Sequence, residues 1–266
     1  MNILIPTDFS AAAEHAALFA LKLNQLKATK FIFLHGGSSV DAKEQLDHFT
    51  AKIQKHSVHG NIEFLNIVRD GAPDDKLLNE IIREFSIDLV IRGTEGRDGF
   101  LESLFKSNTF HVINNIQSPV ITIPETFLFK PIKKIGYASD LTMLAKEMNH
   151  IIPIAKALNV SIDIVHVYPV FPQVIDITKY NTMEALHTLY EEFNFQAFQF
   201  VFIEMEKDNH TLGGLNKYIA ENSPDMLALF TRERSLFDKI FDPSLTANLA
   251  THTEIPVLSF PVIELQ

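Results

Sequence analysis

Short apolar runs alternate along this chain with longer segments whose apolar residues recur at helical spacing. Asn2–Ile5, Lys30–His35, Ile62–Val68, Asp88–Arg92 and Val120–Ile123 read as buried strands. Between them, Ala11–Leu26, Asp41–Ser57 and Ala72–Phe85 read as helices. Ser10 is placed to cap the first, and Pro73 falls in the first turn of the third. A glycine-bearing loop from Gly93 to Gly99 follows the fourth strand, and a helix from about Asn108 to Ile116 precedes the fifth. Strands alternating with helices predict a parallel α/β sheet, because each parallel neighbour needs a crossover connection.

The same pattern is then written a second time. Ile3-Leu4-Ile5-Pro6-Thr7-Asp8-Phe9-Ser10 returns as Ile135-Gly136-Tyr137-Ala138-Ser139-Asp140-Leu141-Thr142. Phe31-Ile32-Phe33-Leu34-His35 returns as Ile162-Asp163-Ile164-Val165-His166, and Pro119–Pro124 as Pro256–Pro261. Three matches in one order, spaced by roughly 130 to 140 residues, mark a tandem duplication of a whole domain rather than a solenoid repeat. The second copy predicts strands at Lys134–Ala138, Ser161–Val167, Phe198–Ile203, Met226–Phe230 and Val257–Phe260. Its helices are Leu144–Leu158, a segment from about Asn181 to Phe193, and Leu212–Asn222, with an aromatic-bearing insert from Tyr168 to about Asn181.

Length and composition fit this organisation. The 266 residues, 46% hydrophobic with a mean hydropathy of +0.08, suffice for two domains, each burying its own core. The domains are expected at residues 1–126 and 131–266, with Glu125–Lys130 as linker. No apolar run approaches the ~20 residues that span a bilayer, and no signal-peptide pattern opens the chain. A membrane partner is therefore not expected. Cysteine is absent, which removes disulfides and thiolate chemistry and fits a cytoplasmic location. A net charge of −10 lacks the clustered cations that nucleic-acid binding needs. The 22 phenylalanines fall mostly inside the periodic segments and are expected in the core.

Two places could carry chemistry. Pro6-Thr7-Asp8-Phe9-Ser10 leaves the first strand, where ligands of open α/β sheets bind. Asp8 there could accept hydrogen bonds from a ribose or an amino group, or Asp8 and Ser10 could simply cap the helix. Gly93-Thr94-Glu95-Gly96, with Lys106-Ser107-Asn108-Thr109 ahead of the next helix, could cradle phosphates or form a glycine turn and a cap. Nothing resembles an enzyme's nucleophile: there is no Gly-x-Ser-x-Gly elbow and no His-Glu-x-x-His spacing. His56 and His59 read as a solvated pair, and His35 and His166, recurring at matching strand ends, as structural.

Taken together, ILIPTDFS, the strand ending in His35, GTEG, SNT and SPVITIP resemble the universal stress protein family in its tandem form. The resemblance implies two tandem five-stranded parallel-sheet domains, adenine nucleotide alpha hydrolase-like and Rossmann-like, forming an intramolecular pseudo-dimer. The edge strands Val120–Ile123 and Val257–Phe260 would pair, and a higher homo-oligomer would be compatible. ATP-binding members carry Gly-x-x-Gly, nine residues, then Gly and Ser or Thr. Gly93 and Gly96 match the first two glycines, Lys106 stands at the third, and Ser107 follows, with Asn108 next. Pro6, Thr7 and Asp8 fall in the adenosine-holding segment, Gly36 where the backbone meets adenine, and Arg92 where the family is usually apolar. The resemblance thus implies an adenine nucleotide, AMP or ATP (the latter with Mg2+), in the first domain only. In the second, Phe230 and Glu233 replace the glycines, and no nucleotide is expected. The implied function is a non-enzymatic, cytoplasmic stress-response protein, against a ligand-free interaction scaffold or a slow ATPase at the first copy. Lys106 either crowds the phosphates or supplies them with a cation.

Overall fold

The computed structural model describes residues 1–23, 30–37, 39–57, 62–94, 115–169, 182–205, 211–230 and 255–261. The chain divides into two compact units, one formed by Met1–Phe129 with the strand Val257–Phe260, the other beginning at Lys130.

In the first unit the strands are β1 (Asn2–Pro6), β2 (Lys30–Gly36), β3 (Glu63–Arg69), β4 (Leu89–Thr94) and β5 (Val120–Pro124), in the order β3-β2-β1-β4-β5. All four pairings are parallel. The helices are α1 (Ala11–Lys22), α2 (Ala42–Gln54) and α3 (Asp75–Glu84). β1 and β4 are the natural centre, because Ile3, Leu4, Ile5, Val90 and Ile91 are almost wholly withdrawn from water. The chain leaves β1 toward β2 on one side and returns to β4 on the other, so β1 and β4 flank the point where the strand order reverses.

Gly93 and Thr94 belong to β4 rather than to a loop. Their register partners are Ile123 and Pro124, and the Glu125 N–H donates to the Thr94 carbonyl at 3.0 Å. The reason for the glycine is α1. A Cβ at Gly93 would overlap the Ala12 carbonyl, so helix and strand meet backbone to backbone. The buried stripe Ala12, Ala13, Ala16, Ala17 and Ala20 permits that approach. α3 begins later than its sequence pattern suggests: Asp74 caps it by accepting from the Leu77 N–H at 2.9 Å, and Pro73 lies before the helix. Part of the segment Glu125–Lys130 packs on the first unit. Phe127 and Phe129 each set a ring edge-on to Phe19 of α1 at 5.9 Å, and Lys22 lies over the Phe129 ring.

The last strand, β10 (Val257–Phe260), lies antiparallel on β5, pairing Val257 with Thr122, Leu258 with Ile121 and Ser259 with Val120. The two short strands expected to pair therefore do so, and β10 covers the edge of β5.

The second unit repeats the plan with β6 (Lys134–Ala138), β7 (Ser161–Pro169), β8 (Phe198–Met205) and β9 (Met226–Phe230), and α4 (Leu144–Leu158), α5 (Thr182–Phe193) and α6 (Thr211–Asn222). Its strands follow the order β9-β6-β7-β8, all parallel. Gly136 in β6 has a specific partner: a Cβ there would meet the Tyr218 hydroxyl at 2.7 Å. Among the described residues no helix is long and apolar enough to cross a membrane.

Candidate functional site

The turn after β1 is built the same way in both copies. Phe9 and Leu141 both adopt φ of 65°, and each turn is pinned by the side chains around it. The Phe9 N–H donates to Thr7 Oγ1 and the Leu141 N–H to Ser139 Oγ, each at 3.0 Å. The Ser10 N–H donates to Asp8 Oδ1 at 3.0 Å, as the Thr142 N–H does to Asp140 Oδ1 at 2.9 Å. Ser10 Oγ then accepts from the Ala13 N–H at 3.2 Å and caps α1. His35 Nδ1 lies 2.9 Å from the Thr7 carbonyl, and His166 Nδ1 lies 2.9 Å from the Ser139 carbonyl. A carbonyl only accepts, so both rings donate through Nδ1. The recurring Thr/Ser-Asp-x-Ser/Thr and the recurring histidines thus fix a turn. That structural role accounts for their repetition.

In the first unit this turn borders a cleft of about 340 Å3, lined by Pro6, Thr7, Asp8, Ser10, Ala12, Ala13, Pro73, Arg92, Gly93 and Thr94. It opens where β1 and β4 end, over the reversal in strand order. Of the residues expected to hold a ligand, Pro6, Thr7, Asp8, Arg92 and Gly93 line this cleft. Gly36 does not line it but abuts Pro73, which does; a Cβ on Gly36 would come within 2.5 Å of the Gly71 carbonyl oxygen. Gly96, Lys106, Ser107 and Asn108 lie outside the described residues. The pattern along the chain missed Ala12, Ala13 and Pro73, whereas Thr94 stood inside the Gly93–Gly96 motif it singled out.

Two charges face this cleft. Burial works to raise the Asp8 carboxyl, but hydrogen bonds from Ser10 and the charge of Arg92 outweigh it and hold the group below the usual carboxylate range. Burial pushes the Arg92 guanidinium down from its ordinary value, with Asp8 opposing the shift. Among the described residues, no hydrogen bond or ion pair reaches the Arg92 guanidinium. In register with Arg92 on β5, Thr122 is wholly buried and its hydroxyl has no hydrogen-bond partner among the described residues.

The equivalent strand positions in the second unit are apolar. Leu89 pairs with Ile3 and Met226 with Ile135, which sets Leu229 at the position of Arg92 and Phe230 at that of Gly93. The Phe230 ring is 5% exposed and stands edge-on to Tyr137 at 6.0 Å and to His150 at 6.1 Å. Tyr137 donates its hydroxyl to the buried Glu147 carboxylate of α4.

Residues 1–124 match the model of the universal stress protein family. Two solved structures share the fold of nearly the whole chain. A universal stress protein of Archaeoglobus fulgidus is 16% identical, with a TM-score of 0.61 over 98% of this chain and 96% of its own. A functionally unknown protein of Pseudomonas aeruginosa is 15% identical, with a TM-score of 0.61 over 98% of this chain and 92% of its own. No curated protein sequence matches the chain.

Proposed function

Residues 1–124 match the universal stress protein family, and on that premise we propose that the chain is a non-enzymatic stress-response protein whose first unit binds an adenine nucleotide. The observation that carries this reading is the position of the cleft: it opens at the carboxyl ends of β1 and β4, over the one reversal of strand order in the first unit. Open α/β sheets bind nucleotides at that point, because the flanking crossovers diverge there and leave a crevice. At about 340 Å3 the cleft falls within the ~300–1,000 Å3 typical of small-molecule sites. Asp8, ionised at neutral pH, is suited to accept from ribose hydroxyls, and the first turn of α1 contributes the favourable end of a helix dipole. Gly96, Lys106, Ser107 and Asn108 would complete the phosphate-holding part, with Mg2+ accompanying ATP. The second unit, with Phe230 where a glycine would be needed, is assigned no ligand. The reading further places the protein in the cytoplasm, without nucleic-acid or membrane partners.

Calorimetric titration of the full chain with ATP–Mg2+ and with AMP tests this. One site per chain is expected for each nucleotide. Two equal sites would overturn the assignment of an empty second unit. No heat and no shift in thermal unfolding with either nucleotide would leave the ligand-free scaffold as the function. A slow release of phosphate that Lys106→Ala abolishes would make the first unit an ATPase.

A further inference from the structure

Arg92 stands out because its charge acts on Asp8 while no hydrogen bond among the described residues holds its guanidinium. The residue is only partly exposed and lines the cleft, yet no hydrogen bond or ion pair within the described residues reaches the guanidinium. A cation partly withdrawn from water, with no hydrogen-bond acceptor among the described residues, gains from an anion that enters the cleft. Asp8 supplies an opposing charge, but its carboxylate is already engaged by the Ser10 N–H at 3.0 Å. In register on the neighbouring strand, the buried Thr122 hydroxyl has no hydrogen-bond partner among the described residues. At the corresponding position the second unit has the apolar Leu229.

Resting on the nucleotide reading above, we propose that Arg92 is the specificity residue of the cleft: it grips the phosphoryl group next to the nucleoside, so that the site takes nucleotides and discriminates against nucleosides. A guanidinium presents donors in a planar fork that matches two oxygens of one phosphoryl group. Arg92 lines the cleft and is already partly withdrawn from water, so a phosphate bound there would gain a strong charge-assisted contact. The first turn of α1, whose Ala12 and Ala13 line the same cleft, adds to the attraction for an anion. Asp8 then serves the sugar side of the ligand and keeps a second anionic group from lying close to it.

The test is calorimetric titration of the full chain and of Arg92→Gln and Arg92→Lys with adenosine, AMP and inorganic phosphate. Arg92→Gln should weaken AMP about tenfold or more and leave adenosine within about twofold. Arg92→Lys, which keeps the charge but not the fork, should fall between. Equal weakening of AMP and adenosine, or unchanged AMP, overturns the proposal. The unfolding midpoint of Arg92→Gln should stay close to that of the parent, since among the described residues the guanidinium makes no hydrogen bond or ion pair to lose; a clearly lower midpoint would assign Arg92 a structural role and overturn the proposal too. Should the parent bind neither adenine ligand, the nucleotide reading fails by itself. Phosphate bound by the parent and lost in Arg92→Gln would then still establish the anion subsite, and phosphate ignored by both would remove it.

Discussion

Gly93→Ala should unfold the first unit more readily, at a cost of at least about 2 kcal/mol and a fall of several degrees in its thermal midpoint. The new methyl group would overlap the Ala12 carbonyl, which is helix backbone and cannot rotate aside as a side chain would. Relief requires α1 to lift from β4, and that opens the seam formed by Ala12, Ala13, Ala16, Ala17 and Ala20. The motif resemblance gives this glycine a different purpose, room for a phosphate. The two roles make opposite predictions when no ligand is present. Thermal unfolding of the ligand-free variant, followed by far-UV circular dichroism, separates them. A midpoint equal to the parent's, with only nucleotide affinity lost, would mean that the glycine serves the ligand and not the helix.

Gly93 also shows where the sequence stops being legible. Glycine after an apolar run is a turn signal, and on that basis β4 ends at Arg92. The structure carries the strand through Thr94, because the glycine answers to a helix some 80 residues earlier in the chain (about 93 − 12), a contact that no local pattern records. Pro73 has a similar history: a helix-opening position on local grounds, it instead stands before Asp74 and against Gly36. Elements with a long periodic signature and clear flanks, such as Leu144–Leu158 and Met226–Phe230, have the same limits in sequence and structure. In the candidate site, the segment Pro6–Asp8 was legible because the chain repeats it, and the repetition reflects the shared turn rather than a shared ligand. The cleft itself needed the fold: Ala12, Ala13 and Pro73 carry no chemistry of their own and matter only because three elements converge there.

The sharpest divergence between the copies lies in the second unit's core, and breaking it should cost nearly as much as Gly93→Ala. β7 places Asp163, 1% exposed, where β2 has Ile32. The carboxylate is held by the Tyr218 hydroxyl at 2.8 Å and by Gln199 Nε2 at 2.9 Å, with Lys134 Nζ at 3.7 Å. Tyr218 reaches it because Gly136 leaves space for the ring. Removing one donor from a buried carboxylate leaves it undersatisfied, so Tyr218→Phe should destabilise the second unit by about 2 kcal/mol. Combining it with Asp163→Ile, which restores the residue type of the first copy, should recover most of that loss, since the charge that needed the hydroxyl is gone. The same pair sets a pH dependence. Burial, then the hydrogen bond to Asp163 and its charge, push the Tyr218 phenol well above its usual range. The folded chain therefore keeps this proton while the unfolded chain loses it near the ordinary tyrosine value of about 10. Above that pH the unfolded state binds fewer protons, so stability falls as pH rises; below it this group contributes no slope. Tyr168 is also raised, by burial and the charge of Glu204, so parent and Tyr218→Phe must be compared across the alkaline range. Urea unfolding between pH 8 and about 11 should show a steeper alkaline decline in the parent than in Tyr218→Phe. Parallel declines, or a double variant no more stable than Tyr218→Phe, would mean that the hydroxyl and the carboxylate are not coupled in the folded unit.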